Sequence, residues 1–315
     1  MEMDHPIKAE GLKRSFGDVN AVVGVDLAVN PGEIYGFLGP NGAGKSTTVR
    51  ILTTLLRPTG GWATVAGFDV QTQPSMVRRS IGVALQDAAI DPLMTGNELI
   101  RLQATLHGLT RNTIANRGGE LLERVGLTQA ADRRVGTYSG GMRRRLDLAL
   151  ALIHEPAVLF LDEPTTGLDP TSRMNLWDEL RRLNSEGTTI FLTTQYLEEA
   201  DELAHRIAII DNGVIVEEGQ PNDLKNAVGS PTLRIDVAMP YLETAREVLC
   251  RYGESRPARQ GRLAIGLENG ASALANVVRA LDDQGVEVLH MELDAPSLDD
   301  VFAKATGRRL EGAEA

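Results

Sequence analysis

The spacing of hydrophobic residues predicts that the chain begins with strands. Residues 22–29, VVGVDLAV, alternate large apolar side chains with smaller or polar ones, which is the period of a half-buried strand. The alternating residues are Val23, Val25, Leu27 and Val29. Residues 30–33, NPGE, predict a turn, and the apolar run IYGFL at 34–38 then leads into glycines. We therefore expect a strand, a turn and a second strand that ends at a glycine-rich segment.

Farther along, strand and helix patterns alternate to about residue 228, which predicts an α/β fold with a largely parallel sheet. Residues 87–137 differ, because NELIRLQATLHGL and IANRGGELLERVGL have helical spacing without strand-like alternation. We interpret 87–137 as a helical insert in a domain that spans residues 1–228. Near the end of that domain, RIAIIDNGVIVEEG at 206–219 predicts a hairpin whose tight turn is Asn212-Gly213.

A second, smaller domain is expected after GSP at 229–231 breaks the chain. Strand and helix patterns then follow in the order β-α-β-β-α-β, which is that of a ferredoxin-like α+β unit. The later segment SLDDVFAKATG predicts a helix with Ser297 as its N-cap. We expect this domain to occupy residues 229–310 and the final residues, 311–315, to be disordered.

Composition limits the classes of protein to be considered. Hydrophobic residues make up 42% and charged residues 24%, as in soluble globular proteins, and no apolar stretch is long enough to span a bilayer. The single cysteine, Cys250, cannot form an internal disulfide, which suits a reducing cytoplasm. A net charge of −11 argues against a broad basic face for nucleic acid. We expect a cytoplasmic protein without a nucleic acid partner, which works at a membrane only by docking onto a protein already there.

The glycine-rich segment at 39–47, GPNGAGKST, fits the pattern of a phosphate-binding P-loop between a strand and a helix. Glycines let backbone N–H groups surround phosphate oxygens, and the helix that follows adds a positive dipole. Lys45 is expected to reach the β- and γ-phosphates of ATP, and the Ser46 hydroxyl to bind Mg²⁺. The other candidate nucleotide-binding residues of the segment are Gly39, Asn41, Gly42, Ala43, Gly44 and Thr47.

Two carboxylates end an apolar strand pattern at 157–164, AVLFLDEP. Buried strands rarely end in this way without a positively charged partner, and Mg²⁺ with ATP would supply one. We expect Asp162 to hold Mg²⁺ through water. Glu163 is the candidate base that orients and deprotonates the attacking water.

Between these motifs, YSGGMRRRLDLALALIHEP at 138–156 predicts a helix that begins after Ser139 and ends before Pro156. Together with the P-loop and the two carboxylates, this segment resembles the signature of ATP-binding cassette (ABC) ATPases, over about residues 7–228. The resemblance implies an ABC cassette with an antiparallel N-terminal β subdomain. It also places Gln86 in the Q-loop, as a metal ligand, and TTGLDP at 165–170 in the D-loop.

The resemblance implies further site residues and a partner. Phe16 stands where the family stacks an aromatic ring on adenine, and Asp169 of the D-loop is a candidate catalytic residue. The family forms head-to-tail pairs with two ATP molecules at the interface. In such a pair Ser139, Gly140 and Gly141 of one copy contact the γ-phosphate bound to the other. Gln86 and the insert 87–137 border the groove that docks a membrane permease.

Gln195 follows the strand pattern at 188–194, where most ABC ATPases have a switch histidine that contacts the γ-phosphate and the attacking water. Histidine is absent from this position of the sequence, and His205 falls well along the next helix. An amide donates and accepts hydrogen bonds but takes up no proton at neutral pH. We expect Gln195 to keep the positioning role and to lose any protonation role.

The strings RRVGTYSGGMRRRLDLA and TTQYLEEAD, with the C-terminal SLDDVFAKATG, resemble the daunorubicin/doxorubicin resistance branch of drug-export ATPases. That resemblance implies a subunit that powers export of a drug-like or lipid-like substrate through a separate membrane protein. Two alternatives stay open, which are a soluble ABC ATPase that acts on ribosomes or DNA and a regulatory module without turnover. The C-terminal domain is interpreted as a dimer brace, a ligand-binding regulator or a passive stabiliser, and the arginines at 143–145 as a solvated helix face.

Overall fold

The computed structural model describes residues 5–85, 90–256, 262–267 and 270–308, and the chain divides into two compact units, 1–220 and 221–315. The elements of the first unit follow in chain order: β1 (Ile7–Phe16), β2 (Val19–Val29), β3 (Ile34–Leu38), α1 (Lys45–Leu52), β4 (Gly60–Val65), β5 (Phe68–Asp69), α2 (Pro74–Ser80), β6 (Ile81–Ala84), α3 (Gly96–Leu106), α4 (Arg111–Arg124), α5 (Gly140–Ala151), β7 (Val158–Asp162), α6 (Pro170–Ser185), β8 (Thr189–Thr194), α7 (Leu197–Leu203), β9 (Arg206–Asp211) and β10 (Val214–Gly219).

Two sheets build this unit. Within the described residues, the larger sheet has the strand order β10-β9-β3-β8-β7-β6, and all its neighbouring strands are parallel except the hairpin β9-β10. The smaller sheet is antiparallel, in the order β2-β1-β4-β5. The predicted α/β class, with a parallel core and an antiparallel N-terminal sheet, is confirmed.

The predicted alternation in the second strand is wrong at one position. Val25, Leu27 and Val29 are buried as expected, but Val23 is 43% exposed and Val22 takes the inward position. The cause is a register shift, since Leu12 pairs with Val25 and Arg14 pairs with Val22. An irregularity of this kind moves the following side chains to the other face of the sheet.

Apolar side chains cover both faces of the parallel sheet. On β7, Leu159 and Leu161 pack into the core formed with the helical insert and α5, whereas Val158 and Phe160 pack toward the N-terminal sheet. A strand that is buried on both faces needs apolar residues at every position, which explains the continuous run that precedes Asp162. Helices α3 and α4 lie within the predicted insert, and Thr95 and Thr110 cap their N-termini.

The second unit contains α8 (Pro221–Val228), β11 (Thr232–Val237), α9 (Leu242–Leu249), β12 (Gly253–Ser255), β13 (Arg262–Leu267), α10 (Leu274–Asp283), β14 (Val288–Asp294) and α11 (Leu298–Thr306). Its antiparallel sheet has the order β12-β13-β11-β14, so the elements follow the predicted β-α-β-β-α-β succession.

The units divide between residues 220 and 221, eight residues before the break that the sequence pattern suggested. Helix α8 belongs to the second unit because it packs against α11, where Lys304 Nζ donates a hydrogen bond to the Ala227 carbonyl at 2.8 Å. Residues 311–315, which we expected to be disordered, lie outside the described residues.

Candidate active site

The candidate residues from three separate sequence segments meet at one edge of the parallel sheet. Leu38, at the end of β3, pairs with Thr194 of β8, and Thr193 pairs with Asp162 of β7. The carboxyl ends of these strands therefore carry the P-loop, Gln195 and the two carboxylates side by side. In open α/β sheets this edge is where ligands bind.

Two glycines of the P-loop are required by close backbone approach. A Cβ atom on Gly39 would lie 2.3 Å from the Ile210 carbonyl oxygen, and one on Gly44 would lie 2.5 Å from the Ala21 carbonyl oxygen. Gly44 also has a φ of 109°, which L side chains rarely adopt. Both positions thus hold the loop in the turn that leads to α1.

The remaining loop residues differ in accessibility. Asn41 and Gly42 are exposed, Ala43 is buried, and Ser46 and Thr47 are half-buried in the first turn of α1. The first N–H groups of an α-helix have no partner within the helix, so the start of α1 beside this loop suits an anion.

Lys45 is held inside the loop by its own backbone and by Glu163. Its Nζ atom donates to the carbonyl oxygens of Gly39 at 2.7 Å and Pro40 at 3.1 Å, and lies 3.3 Å from Glu163 Oε1. Burial lowers the pKa of Lys45, and the Glu163 and Asp162 carboxylates oppose that shift. The buried ammonium and carboxylate stabilise each other.

Asp162 receives two hydroxyl hydrogen bonds at one carboxylate oxygen. Ser46 Oγ donates to Asp162 Oδ1 at 3.2 Å, and Thr193 Oγ1 donates to the same atom at 2.5 Å. Sequence analysis identified Ser46 as a site residue but missed Thr193. The one sequence feature that pointed to Thr193 is its polar side chain at the end of a buried strand. A hydroxyl and a carboxylate oxygen side by side are ligands that Mg²⁺ prefers, so these residues fit that ion.

Glu163 has a strained backbone conformation at this edge. Its φ is 49°, in the left-handed region, which is uncommon for a residue other than glycine. Its N–H donates to both the carbonyl and the Oγ1 of Thr193, each at 3.1 Å, and Thr166 Oγ1 donates to Glu163 Oε2 at 3.3 Å. These contacts fix a carboxylate that is only 6% exposed.

Gln195 is the first residue beyond β8 and is half-buried. The turn after it is held by Tyr196, whose N–H donates to Thr194 Oγ1 at 2.9 Å. The placement of His205 well along the next helix is wrong, because α7 ends at Leu203 and His205 directly precedes β9. There its Nδ1 accepts a hydrogen bond from the Ile34 N–H at 3.1 Å. The amide of Gln195 therefore stands at the strand end where the sequence placed it.

The signature segment and the D-loop pack against each other. Ser139 caps α5 by accepting a hydrogen bond from the Met142 N–H at 3.2 Å, and a Cβ on Gly141 would lie 3.0 Å from Ser172 Oγ. The Ser172 N–H and hydroxyl donate to the Asp169 carboxylate, at 2.9 and 2.6 Å, and lower the pKa of Asp169. Ser139 and Gly140 are exposed.

Across the described ranges, no hydrogen bond links Ser139, Gly140 or Gly141 to residues 39–47. Phe16 lies at the tip of the β1-β2 hairpin, and 46% of its surface is exposed. The Arg14 guanidinium lies 4.4 Å from the centroid of its ring. Gln86 lies outside the described residues.

Sequence reasoning missed Arg144, and the interpretation of 143–145 as a solvated face is wrong for Arg144 and Arg145, which are both half-buried. The Arg144 guanidinium lies at this sheet edge and donates to the carbonyl oxygens of Leu85, Asp162 and Pro164. The sequence signal that could have indicated a buried role for Arg144 is Asp147. It is a charged residue in an apolar helical run, three positions after Arg144. The two side chains lie 3.4 Å apart, and burial raises the pKa of Asp147 to about 6.

A second missed residue, Glu199, is fully buried behind the switch position. The Trp177 indole N–H donates to Glu199 Oε1 at 3.3 Å. Burial raises the pKa of Glu199, and the hydrogen bond from Trp177 counteracts that shift.

Comparison with known proteins matches the model of the ABC transporter family over residues 22–166. The model of the ATP-binding protein DrrA1-3-like C-terminal domain matches residues 219–306. The chain is 48% identical to the daunorubicin resistance ATP-binding protein DrrA2 of Streptomyces coeruleorubidus, across 99% of this chain and 98% of that protein. It is 45% identical to the daunorubicin/doxorubicin resistance ATP-binding protein DrrA of Streptomyces peucetius, with 96% and 92% covered.

A solved structure supports the same assignment. The cassette MJ0796, in a dimeric post-hydrolysis state with ADP and Pi, is similar with a TM-score of 0.63 and 25% identity, and 68% of this chain and 98% of that chain are covered. The predicted cassette fold and the resemblance to the daunorubicin/doxorubicin resistance branch are thereby confirmed. The chain belongs to the ATP-binding subunits of ABC transporters, the ATPases that bind and hydrolyse nucleotide in those transporters.

Proposed function

We propose that this protein hydrolyses ATP to power export of a hydrophobic drug-like or lipid-like molecule through a separate membrane permease. The observation that carries the proposal is the group formed by Lys45, Glu163, Asp162 and Ser46 at the end of the parallel sheet. Likeness to drug-resistance ATP-binding proteins over nearly the whole chain supports export. Among the described residues, the helices are too short or too polar to cross a membrane.

In this proposal the P-loop holds the phosphates of ATP. The backbone of 39–44 and the first turn of α1, which includes Thr47, surround these phosphates. The Lys45 ammonium, which pairs with Glu163 in the structure, pairs with the phosphate oxygens when ATP binds. Phe16 offers its ring to the adenine. Ser46 and Asp162 would hold Mg²⁺, with Gln86 as a further ligand, and the ion would supply positive charge that offsets the charge developing on the phosphate oxygens.

Glu163 is then free to act as the general base. Its carboxylate orients the attacking water and accepts a proton from it, while Thr166 holds the side chain and Thr193 holds the backbone N–H of Glu163. Gln195 positions the water and the γ-phosphate by donating one hydrogen bond and accepting another. Asp169 supports the site from the D-loop.

A second copy of the chain completes each site. The exposed N-terminus of α5, with Ser139, Gly140 and Gly141, would contact the γ-phosphate bound by the partner in a head-to-tail dimer. The packing of Gly141 against Ser172 means that the signature and the D-loop would approach the partner together. Peripheral attachment to the inner face of the membrane then follows from docking onto the permease.

The helical insert offers a surface for that permease. A groove of about 520 Å³ is lined by Leu93, Met94, Glu98, Arg101, Leu102 and Thr105. Leu93 is 72% exposed and Leu102 is 46% exposed, so apolar side chains lie uncovered beside polar ones. Such a patch is typical of an interaction site.

The test is co-purification from the native cell. A tagged chain, extracted with mild detergent, is expected to bring down a stoichiometric multi-span membrane protein that raises ATP turnover. Leu102→Glu should lose that protein and keep ATP binding, whereas Leu55→Glu, which alters another exposed leucine, should retain it. Ribosomal or DNA-repair partners without a membrane protein would contradict the transport proposal and leave the ATP chemistry intact.

The role of Gln195 gives a pH prediction. Because the amide does not titrate, the wild-type rate profile should lack a step from this residue, and Gln195→His should introduce one near pH ~6.5, the ordinary histidine value. Gln195→Ala should lower turnover because both positioning hydrogen bonds are lost. Tyr196→Phe serves as the neighbouring control. Full hydrolysis in Gln195→Ala would contradict the switch assignment.

A further inference from the structure

Arg144 joins the signature helix to the two strand ends that carry the catalytic edge. Its Nη1 donates to the Leu85 carbonyl at 2.7 Å, its Nη2 to the Asp162 carbonyl at 2.7 Å, and its Nε to the Pro164 carbonyl at 3.0 Å. The side chain is 13% exposed. One guanidinium thus ties the end of β6, the end of β7 and the loop after β7 to α5.

These three carbonyls need a donor that reaches them all at once. Carbonyl oxygens that are buried without a partner are costly, and the planar fork of arginine offers several donors in fixed directions. Burial lowers the pKa of Arg144, while Asp147 and Asp162 oppose the shift. A lysine at this position would keep a charge but would lose the fork.

Arg144 contacts the backbone on both sides of Glu163. It holds the carbonyl of the residue before Glu163 and the carbonyl of the residue after it. Glu163 itself is in the left-handed region with a φ of 49°, a conformation that persists only where the surroundings impose it. Thr193 holds the Glu163 N–H from β8, and Arg144 holds the flanking peptides from α5.

The same helix begins with the signature segment. Ser139 caps α5, and Arg144 follows about one turn later on the buried side. A displacement of the helix N-terminus therefore moves the guanidinium and, through it, the backbone on either side of Glu163.

We propose that Arg144 is a positioning residue that sets the backbone of Glu163 and links it to the signature helix. The proposal rests on the proposed role of Glu163 as general base. In a head-to-tail dimer, Ser139–Gly141 of one copy would contact the nucleotide bound by the partner. Through Arg144, that contact would then change the position of Glu163, the base of the first copy's own site.

The test compares Arg144→Gln and Arg144→Lys with Arg143→Gln. Arg143 is an exposed arginine on the same helix, and its guanidinium donates to the Gly136 carbonyl at 3.3 Å. In the full-length protein, both Arg144 variants should lower kcat by about 10–100-fold, the scale of a small misplacement of a reacting group. KM and the Kd for ATP should stay within about twofold, because the P-loop is untouched. Arg143→Gln should match wild type.

A double-mutant cycle separates positioning from general destabilisation. Because Arg144 acts through Glu163, adding Arg144→Gln to Glu163→Gln should cause little further loss of single-turnover rate. Arg144→Lys, which keeps the buried charge beside Asp147, runs the same cycle if the glutamine variant does not fold.

Three outcomes would count against the proposal. If the rate losses of Arg144→Gln and Glu163→Gln multiply in the double variant, or if Arg144→Lys has a wild-type kcat, the role of Arg144 is overturned. The role of Glu163 as the base would be unaffected by either result. A wild-type rate in Glu163→Gln would overturn both.

Discussion

Glu163→Gln is expected to bind ATP and to lose turnover by about 10²–10⁴-fold, the contribution of a positioned general base. The amide has the size of the carboxylate, and its oxygen can still accept hydrogen bonds from Thr166 and Lys45, so the shape of the site should persist. Because the buried Lys45 ammonium loses its counter-charge, some loss of thermal stability is expected until ATP is bound. The amide cannot accept a proton from water. The measurement is ATP hydrolysis at saturating ATP and Mg²⁺, beside nucleotide binding followed by fluorescence.

The same variant tests the head-to-tail pair. Because ATP is bound and not consumed, light scattering should show a dimer with ATP and a monomer without it. Glu198→Gln is a matched control, since that carboxylate is exposed and forms an ion pair with Arg173, at 3.0 Å. A monomer at saturating ATP would count against completion of the site by a second copy, and rapid turnover would count against the assignment of the base.

Lys45→Ala is expected to weaken ATP binding by about 100-fold or more, because the ammonium is the charged donor that the P-loop offers to the phosphates. The change also leaves the Glu163 carboxylate buried without its partner 3.3 Å away. Removal of one member of a buried pair costs about 3–5 kcal/mol of stability. The variant should therefore unfold at lower temperature, and this loss must be separated from the loss of binding.

The double variant Lys45→Ala/Glu163→Gln makes that separation. With both charges removed, thermal stability should largely recover, whereas ATP binding should remain weak. Binding is measured with a fluorescent ATP analogue at a temperature where all variants are folded. Wild-type affinity in either variant would refute the assignment of the phosphate site.

The parts of the site that the sequence predicts are those in which local motifs dictate the geometry. The P-loop requires glycine where Gly39 and Gly44 approach neighbouring carbonyls, so its sequence pattern survives as a recognisable string. Asp162 and Glu163 end an apolar strand, and a buried charge in that place requires a positively charged partner, which indicates a site. Both signals can be read along the chain without knowledge of its packing.

The parts that could not be predicted depend on contacts between distant segments. Arg144 contacts carbonyls from β6 and from the loop after β7, and the helical pattern alone left it on a solvated face. The outward turn of Val23 follows from an irregular pairing of β1 with β2, which strand periodicity does not contain. The division before Pro221 depends on the packing of α8 against α11.

The ion pair between Lys45 and Glu163 has a consequence for nucleotide affinity if the proposed roles of the two residues hold. The Glu163 carboxylate lies 3.3 Å from the Lys45 ammonium, where a phosphate oxygen of ATP would bind. ATP would then compete with a carboxylate of the same chain, and its measured affinity would be lower than that of a site in which Lys45 is unpaired. The same exchange would release Glu163 to act as the base only when ATP is bound.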